Sequence, residues 1–484
     1  MANRAALPLA VRQLDWTFDT TELFSHFANE SWAILLDSAN APHQDARFDI
    51  ICAYPIATIV TKGGTSDIQV KFGGLSFPCG ISPKDDPFDL INTLLTHWYP
   101  RKLPCNPTEL TIPFSGGAMG SFSYDLGRRI EVMPTIAADD IHLPELNLGF
   151  YDWALIFDYQ QQKWSLVHYL GEAALNAQLN IIEDKISKAV SHSDFNLKSP
   201  WAAQITKADY VAKFDQVQRY LQSGDCYQIN LTQRFESSYQ GDEWTAYQQL
   251  RRANQAPFSA FMRLDNHAIL SISPERFIQL RGEDIQTKPI KGTLPRHSDP
   301  LLDKETAITL ANSPKDRAEN VMIVDLLRND IGKVAAPGSV RVPHLFEVES
   351  FPAVHHLVST VTAKLDSQYH ACDLLRAAFP GGSITGAPKI RAMEIIEELE
   401  PSRRSLYCGS IGYLSQDGQM DTSITIRTIV AEVAERGVAA NALTNSGKLY
   451  CWAGGGIVAD SNVDAEYQES FDKVSRILPL LGKA

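Results

Sequence analysis

Hydrophobic and polar positions alternate along several stretches of the chain, which is typical of β-strands. In the sequence CYQINLTQRF (226–235), Tyr227, Ile229 and Leu231 point to one face, while Gln228 and its alternate neighbours point to the other. A strand with one polar face either meets solvent or lines a cleft. The pattern predicts the strand but does not decide whether its polar face meets solvent or lines a cleft.

Helical spacing of apolar positions marks several other segments, each with its own start signal. Thr206 is the predicted cap of the first helix, which Gly224 ends. Ser313 caps the second, with proline at its first helical position. Pro388 opens a third, and Ser461 is the predicted cap of the last.

Strands and helices do not alternate strictly, which favours an α+β fold with largely antiparallel sheet. A polar, proline-containing stretch, HSDFNLKSPW (192–201), suggests a linker. We therefore predict two regions: a β-rich N-terminal region, 1–200, packed against a catalytic domain, 201–484.

Composition and charge narrow the class of protein. The chain has 484 residues and a net charge of −13, with no basic stripe, which argues against nucleic acid and anionic membranes as partners. Its seven cysteines form no CxxC pair, a pattern typical of a reducing compartment. The sequence shows no convincing signal peptide and no apolar run of about 20 residues. We expect a cytoplasmic enzyme.

Two glycine-rich segments could bring the backbone close to a ligand. The spacing of Gly381 and Gly386 in GGSITGAPK resembles a phosphate loop, but the Gly-Lys-Ser/Thr ending is absent, which excludes a nucleotide loop of that kind. A tight turn or an anion site at a helix start remain the alternatives. Three consecutive glycines, 454–456, require a close approach by a strand or a ligand.

Acidic residues on two predicted helices are candidates for a hard-cation site. Asp316 and Glu319 share a helix face, and Glu466, Glu469 and Lys473 lie off the apolar stripe of the last helix. Stabilisation of the helix dipole and a surface ion pair are the simpler interpretations of each group alone. The functional alternative is a magnesium site, which needs only a few carboxylates because water and substrate complete the octahedron.

Lys291 and the adjacent histidines are ambiguous when each is considered alone. A lysine near a strand end, as in TKPIKGTLPR (287–296), is usually solvated, and the alternative is a nucleophile. His355 and His356 point to opposite faces of a strand, where a structural histidine is the simpler interpretation. A zinc site is excluded because no second ligand pair has suitable spacing.

Many motifs occur together in one order over residues 206–480: YQINLTQRF, SPERF, PIKGT, DRAENVMIVDLLRND, HHLVSTV, GGSITGAPKIRAMEIIEELEP, YCGSIGY, TSITIRT and AGGGIVADS…EYQESFDK. In this the chain resembles the chorismate-utilising enzymes, which include the large subunits of anthranilate and aminodeoxychorismate synthases and the isochorismate and salicylate synthases. The resemblance implies a large antiparallel β-sandwich flanked by helices, with magnesium and chorismate in a central cleft.

The resemblance also implies roles for individual residues. Glu319 and Glu469 match the magnesium ligands of the family, and Asp316 falls where relatives often have a supporting acidic residue. Other matched positions bind the carboxylates of the substrate or lie near its ring: Tyr407, Arg427, the amide of Gly456, Lys473, His356 and Ser383.

Two positions, Gln228 and Lys291, distinguish members of the family. Isochorismate and salicylate synthases carry a lysine base where this chain has Gln228, so the resemblance favours an ammonia-using enzyme. Lys291 lies in PIKGT, the pattern of aminodeoxychorismate-forming members, in which the amine is a covalent nucleophile; anthranilate synthases have PIAGT. Glu275 matches the general acid. An anthranilate synthase component I and a non-catalytic homologue remain the alternatives.

Two further features concern partners. The sequence contains no Gly-x-Cys-x-Gly elbow with a downstream histidine, so we expect ammonia to come from a separate glutamine amidotransferase subunit. The segment AILLDSA resembles the LLES motif of the family's tryptophan pocket, with Asp37 replacing the usual glutamate. Leu36 and Ser38 would contact tryptophan in such a pocket.

Overall fold

The computed structural model describes residues 4, 7–71, 75–101, 111–350, 354–439 and 442–482. Within these ranges, two large antiparallel sheets of 13 and 11 strands dominate the structure, and helices pack against them. The predicted α+β class with a large antiparallel β-sandwich is confirmed. Six cysteines in the described ranges carry free thiols.

The first sheet contains β1 (Ala10–Leu14), β2 (Ile34–Asp37), β3 (Phe48–Cys52), β8 (Trp153–Asp158), β9 (Lys163–His168), β10 (Asn196–Leu197), β11 (Ala202–Ala203), β12 (Gln228–Gly241), β13 (Phe258–Arg263), β14 (His267–Ser273), β20 (Gly386–Ala387), β23 (Thr428–Glu435) and β26 (Asn445–Ile457). Its main order is β1-β9-β8-β3-β2-β13-β14-β23-β26-β12-β10, and β11 and β20 also pair with β12.

The second sheet contains β4 (Ala57–Lys62), β5 (Thr65–Val70), β6 (Gly117–Phe122), β7 (Leu146–Tyr151), β15 (Arg276–Arg281), β16 (Asp284–Thr287), β17 (Ile290–Pro295), β18 (Arg341–Ser350), β19 (Val354–Lys364), β21 (Ser410–Ser415) and β22 (Met420–Ile424). Its order is β17-β19-β16-β15-β22-β21-β6-β7-β4-β5, with β18 also paired to β19. A small separate hairpin joins β24 (Val438–Ala439) and β25 (Ala442–Leu443).

The α-helices are α1 (Thr20–Ser25), α2 (Pro87–Trp98), α3 (Glu172–Ile186), α4 (Lys207–Ser223), α5 (Glu243–Asn254), α6 (Pro300–Ala311), α7 (Pro314–Gly332), α8 (Ala371–Ala378), α9 (Lys389–Leu399), α10 (Val463–Asp472) and α11 (Leu478–Leu481). Short 3-10 helices cover Tyr124–Arg129 and Gly382–Ile384. None of the described helices is long and apolar enough to cross a membrane.

The buried side chains form layers. The largest core contains inward-facing residues of both sheets, such as Met262 of β13 and Ile278 of β15. A second core lies between the first sheet and α1, α3 and α5, and a third packs α4 and α9 against β12. These layers bury one face of each helix and both faces of the first sheet, as a sandwich flanked by helices requires.

Strands from both sides of residue 200 take part in both sheets. β2 pairs with β13 in the first sheet, and β6 pairs with β21 in the second. Residues on the two sides of position 200 therefore share both sheets. The boundary itself, between 1–200 and 201–484, stays a prediction.

Most predicted helix starts are confirmed, and one is wrong. Thr206 and Asp209 form a capping box on α4, and Gly224 ends that helix in the left-handed conformation. Ser313 caps α7. The cap of α10 is Asn462 rather than Ser461. The hydroxyl of Ser461 instead donates to Glu466 at 2.7 Å, so it serves the side chain of the helix and not its amides.

Candidate active site between the two sheets

Lys291 occupies an irregular position in β17. Ile290 lies opposite Val358 of β19, and Thr293 lies opposite His356. Thr293 follows Ile290 by three residues, whereas their partners on β19 are only two residues apart. The extra residue is a β-bulge, and bulges re-aim side chains. Gly292, with φ +94°, supplies the backbone conformation that the bulge needs. The bulge directs the Lys291 amine towards the first sheet.

The glycine run of β26 forms the opposite wall. A Cβ on Gly456 would overlap the Gln228 amide and lie 2.7 Å from the Lys291 Nζ. A Cβ on Gly455 would lie 2.9 Å from Glu466 Oε2 and 3.0 Å from Glu469 Oε1. The glycines therefore make room for functional side chains as well as for β12. Of the polar face of β12, Gln228 lies in this cleft, while Asn230 and Thr232 bind the Ile384 carbonyl and Glu400. The polar face is thus buried and does not meet solvent.

Glu275 lies where the chain crosses from β14 in the first sheet to β15 in the second. Its carboxylate accepts a hydrogen bond of 3.1 Å from the Ser383 hydroxyl and another from the Ile290 amide. Burial raises the pKa of Glu275 to about 7, although these hydrogen bonds and the charges of Lys291 and Lys473 partly oppose it. A carboxyl group with this pKa can donate a proton near neutral pH.

Two carboxylates and a second lysine lie near the Lys291 amine. Its Nζ lies 2.9 Å from Glu319 Oε2, and Glu469 pairs with Lys473 at 2.7 Å. Burial acts to raise the pKa of Glu469, but Lys473, Lys291 and Lys315 outweigh it and hold this pKa below its ordinary value. Glu319 and Glu469 thus face the same amine from different helices.

Glu466 is a third acidic residue at this place. Burial, together with the charge of Glu469, raises its pKa above the ordinary value. Its Oε2 is buried and has no hydrogen-bond partner among the described residues, and it points towards Gly455 beside the Glu469 carboxylate. An orphaned buried carboxylate oxygen indicates that a cation or water belongs there.

These oxygens fit a magnesium ion. Within the described ranges, no group of three or more His, Cys, Asp or Glu side chains is close enough to hold a metal by itself. Magnesium does not require one, because it binds through one or two carboxylates and keeps several waters. Glu319 and Glu469 remain the proposed ligands. Asp316 is further along this wall, where its side chain lies 3.0 Å from a Cβ built on Gly292.

The residues predicted to bind substrate carboxylates also line the cleft. Arg427 lies at the crossing from β22 to β23 with φ +52°. Its carbonyl accepts a hydrogen bond of 3.1 Å from the Ile272 amide, whereas its side chain makes no hydrogen bond or ion pair within the described part of the chain. Burial lowers its pKa, and Glu275 opposes that effect. Lys473 donates to the Gly454 carbonyl at 2.7 Å. The half-buried guanidinium, which interacts with the charge of Glu275, could also receive an anion.

Two rings complete this part of the cleft. Tyr407 stacks on Trp452, with ring centroids 6.0 Å apart, and burial raises its pKa well above the ordinary value. His356 shares a 2.8 Å hydrogen bond between its Nδ1 and the Thr293 hydroxyl. Burial, then the charge of Arg427, lowers the pKa of His356 to about 3, so the imidazole is neutral at physiological pH.

A model of the chorismate binding enzyme family matches residues 34–479. The chain belongs to the chorismate-binding enzyme family. It is 55% identical to aminodeoxychorismate synthase component 1 of Salmonella typhimurium, covering 96% of both chains. It is 54% identical to the Escherichia coli K12 protein of that name, over 98% of this chain and 99% of the relative. Anthranilate synthase component 1 of Geobacillus stearothermophilus is 33% identical, over 96% and 92%.

Solved structures of the family share this fold. The anthranilate synthase component I of Streptococcus pneumoniae TIGR4 superposes with a TM-score of 0.72 at 30% identity, covering 90% of this chain and 92% of that one. The menaquinone-specific isochorismate synthase of Escherichia coli has a TM-score of 0.69 at 15% identity, over 99% and 95%. The second likeness concerns the fold alone.

The residues assigned to a tryptophan pocket lie elsewhere, on and after β2. The amide and hydroxyl of Ser38 donate to Asp49 Oδ1 at 2.7 and 2.8 Å, and Asp37 binds Arg251 at 2.6 Å. Leu36 is half-buried on the same strand. Burial and the neighbouring Asp37 raise the pKa of Asp49 to about 6. Tryptophan binding at Leu36 and Ser38 stays a prediction.

A buried ion pair that the sequence analysis missed holds the Ser383 segment. Arg404 pairs with Glu400 at 2.7 Å and donates to the carbonyls of Ile384 and Asn230 at 2.9 and 2.6 Å. It thereby fixes the short helix that presents Ser383 to Glu275. Glu400 and Arg404 are four residues apart, but only their burial shows that the pair is more than a surface contact.

Proposed function

We propose that this chain converts chorismate and ammonia to 4-amino-4-deoxychorismate, the activity named for the relatives that are 54% and 55% identical. The observation that carries the proposal is the place of the Lys291 amine. It lies in the cleft between the sheets, beside Glu319 and Gly456, where a substrate ring would meet it. Anthranilate synthases of the family have alanine at the matching position in PIAGT, and alanine cannot act as a nucleophile.

The proposed chemistry uses Lys291 of β17 as the nucleophile and Glu275, beside that strand, as the acid. The Lys291 amine, which is paired with Glu319 in this structure, first loses its proton to solvent. It then attacks ring carbon 2 while the 4-hydroxyl leaves with a proton from Glu275 as water. The new secondary amine loses its extra proton to solvent. Ammonia then adds at carbon 4, and the bond to Lys291 breaks as that nitrogen takes a proton from solvent. The new ammonium group at carbon 4 gives up one proton, and Glu275 regains its own proton through solvent. The sum exchanges one hydroxyl for one amino group and regenerates the lysine.

Cationic groups around the cleft bind the substrate carboxylates. Arg427 offers a fork of donors, Lys473 a point charge, and the Gly456 amide a neutral donor. Tyr407 and the neutral His356 lie beside the ring. Magnesium bound to Glu319 and Glu469 would supply a positive charge for the ring carboxylate. These contacts hold the ring against the second sheet, within reach of Lys291.

Gln228 supports ammonia rather than water as the second nucleophile. Its carboxamide lies beside the Lys291 amine, and its Oε1 is buried without a hydrogen-bond partner among the described residues. A carboxamide cannot deprotonate water, but its oxygen can accept a hydrogen bond from an N–H group. We infer that ammonia reaches this place from a separate glutamine amidotransferase subunit, and that another enzyme removes pyruvate on the way to p-aminobenzoate and folate in the cytoplasm.

Product analysis tests the proposed function. The purified chain is incubated with chorismate, magnesium and ammonium salt, with and without an added aminodeoxychorismate lyase, and products are identified by mass spectrometry. We expect p-aminobenzoate only when the lyase is present. Anthranilate formed without the lyase would show an anthranilate synthase instead. Failure to bind magnesium and chorismate together would favour a non-catalytic homologue.

A further inference from the structure

A buried lysine, Lys288, lies three residues before Lys291 at the break between β16 and β17. Both strands pair with β19, but Lys288 and Pro289 interrupt the ladder between them. The Lys288 Nζ lies 2.6 Å from Glu349 Oε1 and 3.3 Å from Asp45 Oδ2. The side chain is therefore held just before the strand that carries Lys291, where one backbone hydrogen bond, of 3.2 Å from the Ser359 amide of β19 to the Pro289 carbonyl, remains.

Asp45 binds a second cation with its other oxygen. The Arg276 Nη1 lies 2.8 Å from Asp45 Oδ1, and the Arg276 Nε lies 3.0 Å from Asp421. Arg276 is the residue directly after Glu275. One carboxylate, from the segment between β2 and β3, thus binds the near neighbours of both the proposed nucleophile and the proposed acid.

The charged side chains of this network are largely buried and in close contact with their neighbours. Arg276 lies 4.8 Å from the centroid of the Phe258 ring, and the network lines a small pocket with apolar walls. On the far side of Glu349, His43 contacts its Oε2 at 2.9 Å and Gln44 donates to its Oε1 at 3.0 Å. In such a medium charges interact strongly, and removal of one partner leaves another charge buried and unpaired.

The geometry points to Asp45 and Lys288 as positioning residues that set the distance between Lys291 and Glu275. This inference rests on the roles proposed above for those two residues. β17 lies at an edge of the second sheet, and the Ile290 amide that donates to Glu275 belongs to the same strand. Displacement of the Lys288–Pro289 segment would move Lys291 and weaken the Ile290 bond together, without touching the groups that bind substrate carboxylates.

The test compares Asp45→Asn, Lys288→Met and Lys288→Arg with a matched control, Asp158→Asn. The control removes an ion pair of the same segment, Arg47 with Asp158 at 2.9 Å, that has no link to β17. Two readouts are taken: steady-state consumption of chorismate with ammonium salt, and hydrogen exchange of the peptide that contains the Ile290 amide.

We expect Asp45→Asn and Lys288→Met to lower kcat about tenfold or more, with the KM for chorismate unchanged, because small misplacements of reacting groups are costly. Exchange at the Ile290 peptide should become faster in both. Lys288→Arg should recover most of kcat, and Asp158→Asn should change neither readout.

The inference is overturned if kcat and exchange stay at wild-type values in Asp45→Asn and Lys288→Met. It is also overturned if Asp158→Asn lowers kcat by the same factor, which would show general destabilisation. If the wild-type chain consumes no chorismate, the proposed function fails, and the exchange readout alone then decides whether the network holds β17.

Discussion

The Lys291 Nζ lies 2.9 Å from Oε2 of Glu319, so the proposed nucleophile and a proposed magnesium ligand form an ion pair across the cleft. The lysine comes from the bulge of β17 and the glutamate from the second turn of α7. One carboxylate therefore serves two cations, the amine in this structure and the metal in the proposed complex. In the proposed complex, this arrangement would bring the amine to the carboxylate end of the substrate ring.

Removal of the Glu319 charge should weaken binding of magnesium. Glu319→Gln keeps the size of the side chain but supplies only a weak neutral ligand oxygen. Calorimetry with magnesium in the presence of chorismate should show binding at least about tenfold weaker than in wild type. Glu398→Gln, on the exposed face of α9, is the matched control and should bind as wild type does. Equal affinities for the two variants would remove Glu319 from the metal site.

The raised pKa of Glu275 predicts a pH profile. The group must carry a proton to release the hydroxyl as water, and its pKa is about 7. With the free ammonia concentration held constant, the slope of log(kcat/KM) for chorismate against pH should become one unit less positive as the pH passes through about 7, whatever slope the titration of Lys291 gives below it. A slope that does not change between pH 6 and pH 8.5 would contradict the assignment of Glu275 as the acid.

The same pKa predicts a dependence of stability on pH. Between its ordinary pKa of 4.5 and the folded value of about 7, the folded state binds more protons at Glu275 than the unfolded state. The contribution of Glu275 to the free energy of unfolding therefore falls by roughly 3 kcal/mol as the pH rises through this window. Glu275→Gln should unfold at a higher temperature than wild type at pH 8 but at nearly the same temperature at pH 4. A difference independent of pH would count against the raised pKa.

Two alanine substitutions in the glycine run should act differently. In Gly454→Ala the new Cβ would overlap the backbone carbonyl of Leu231, which cannot move without disturbing β12. We expect a loss of stability of about 1–3 kcal/mol or more. In Gly456→Ala the Cβ would meet the ends of the Gln228 and Lys291 side chains, which can rotate away. That variant should stay folded and lose activity.

Thermal unfolding and ammonia-dependent turnover of both glycine variants separate these effects. A stable, fully active Gly456→Ala variant would show that neither Gln228 nor Lys291 needs its observed position.

The local signals in the sequence predicted much of the fold. Thr206, Asp209 and Gly224 place both ends of α4 because capping depends on near neighbours. Two adjacent polar residues, Ser461 and Asn462, could each cap α10. In the structure the Asn462 side chain accepts from the amides of Asp464 and Ala465, whereas the Ser461 hydroxyl donates to Glu466. Local chemistry gives the helix but not always its first residue.

Features that depend on distant contacts were not predictable in this way. The sequence TSITIRTIVAE is typical of one continuous strand, yet the chain leaves the second sheet after Ile424 and enters the first at Thr428. Arg427 owes its position to that crossing. The bulge at Lys291 depends on register with β19, and the contacts of Asp45 join residues more than 200 positions apart. The motif resemblance named the candidate site residues, whereas only the fold shows how they are held.

Covalent attachment of substrate to Lys291 is the most direct test of the account. The chain is incubated with chorismate and magnesium in the absence of ammonia, quenched with acid and digested, and the peptides are analysed by mass spectrometry. We expect an adduct on Lys291 with the mass of chorismate less one water, absent from Lys291→Ala and removed when ammonium salt is added before the quench. If no adduct forms and Lys291→Ala still makes aminodeoxychorismate at the wild-type rate, Lys291 is not the nucleophile.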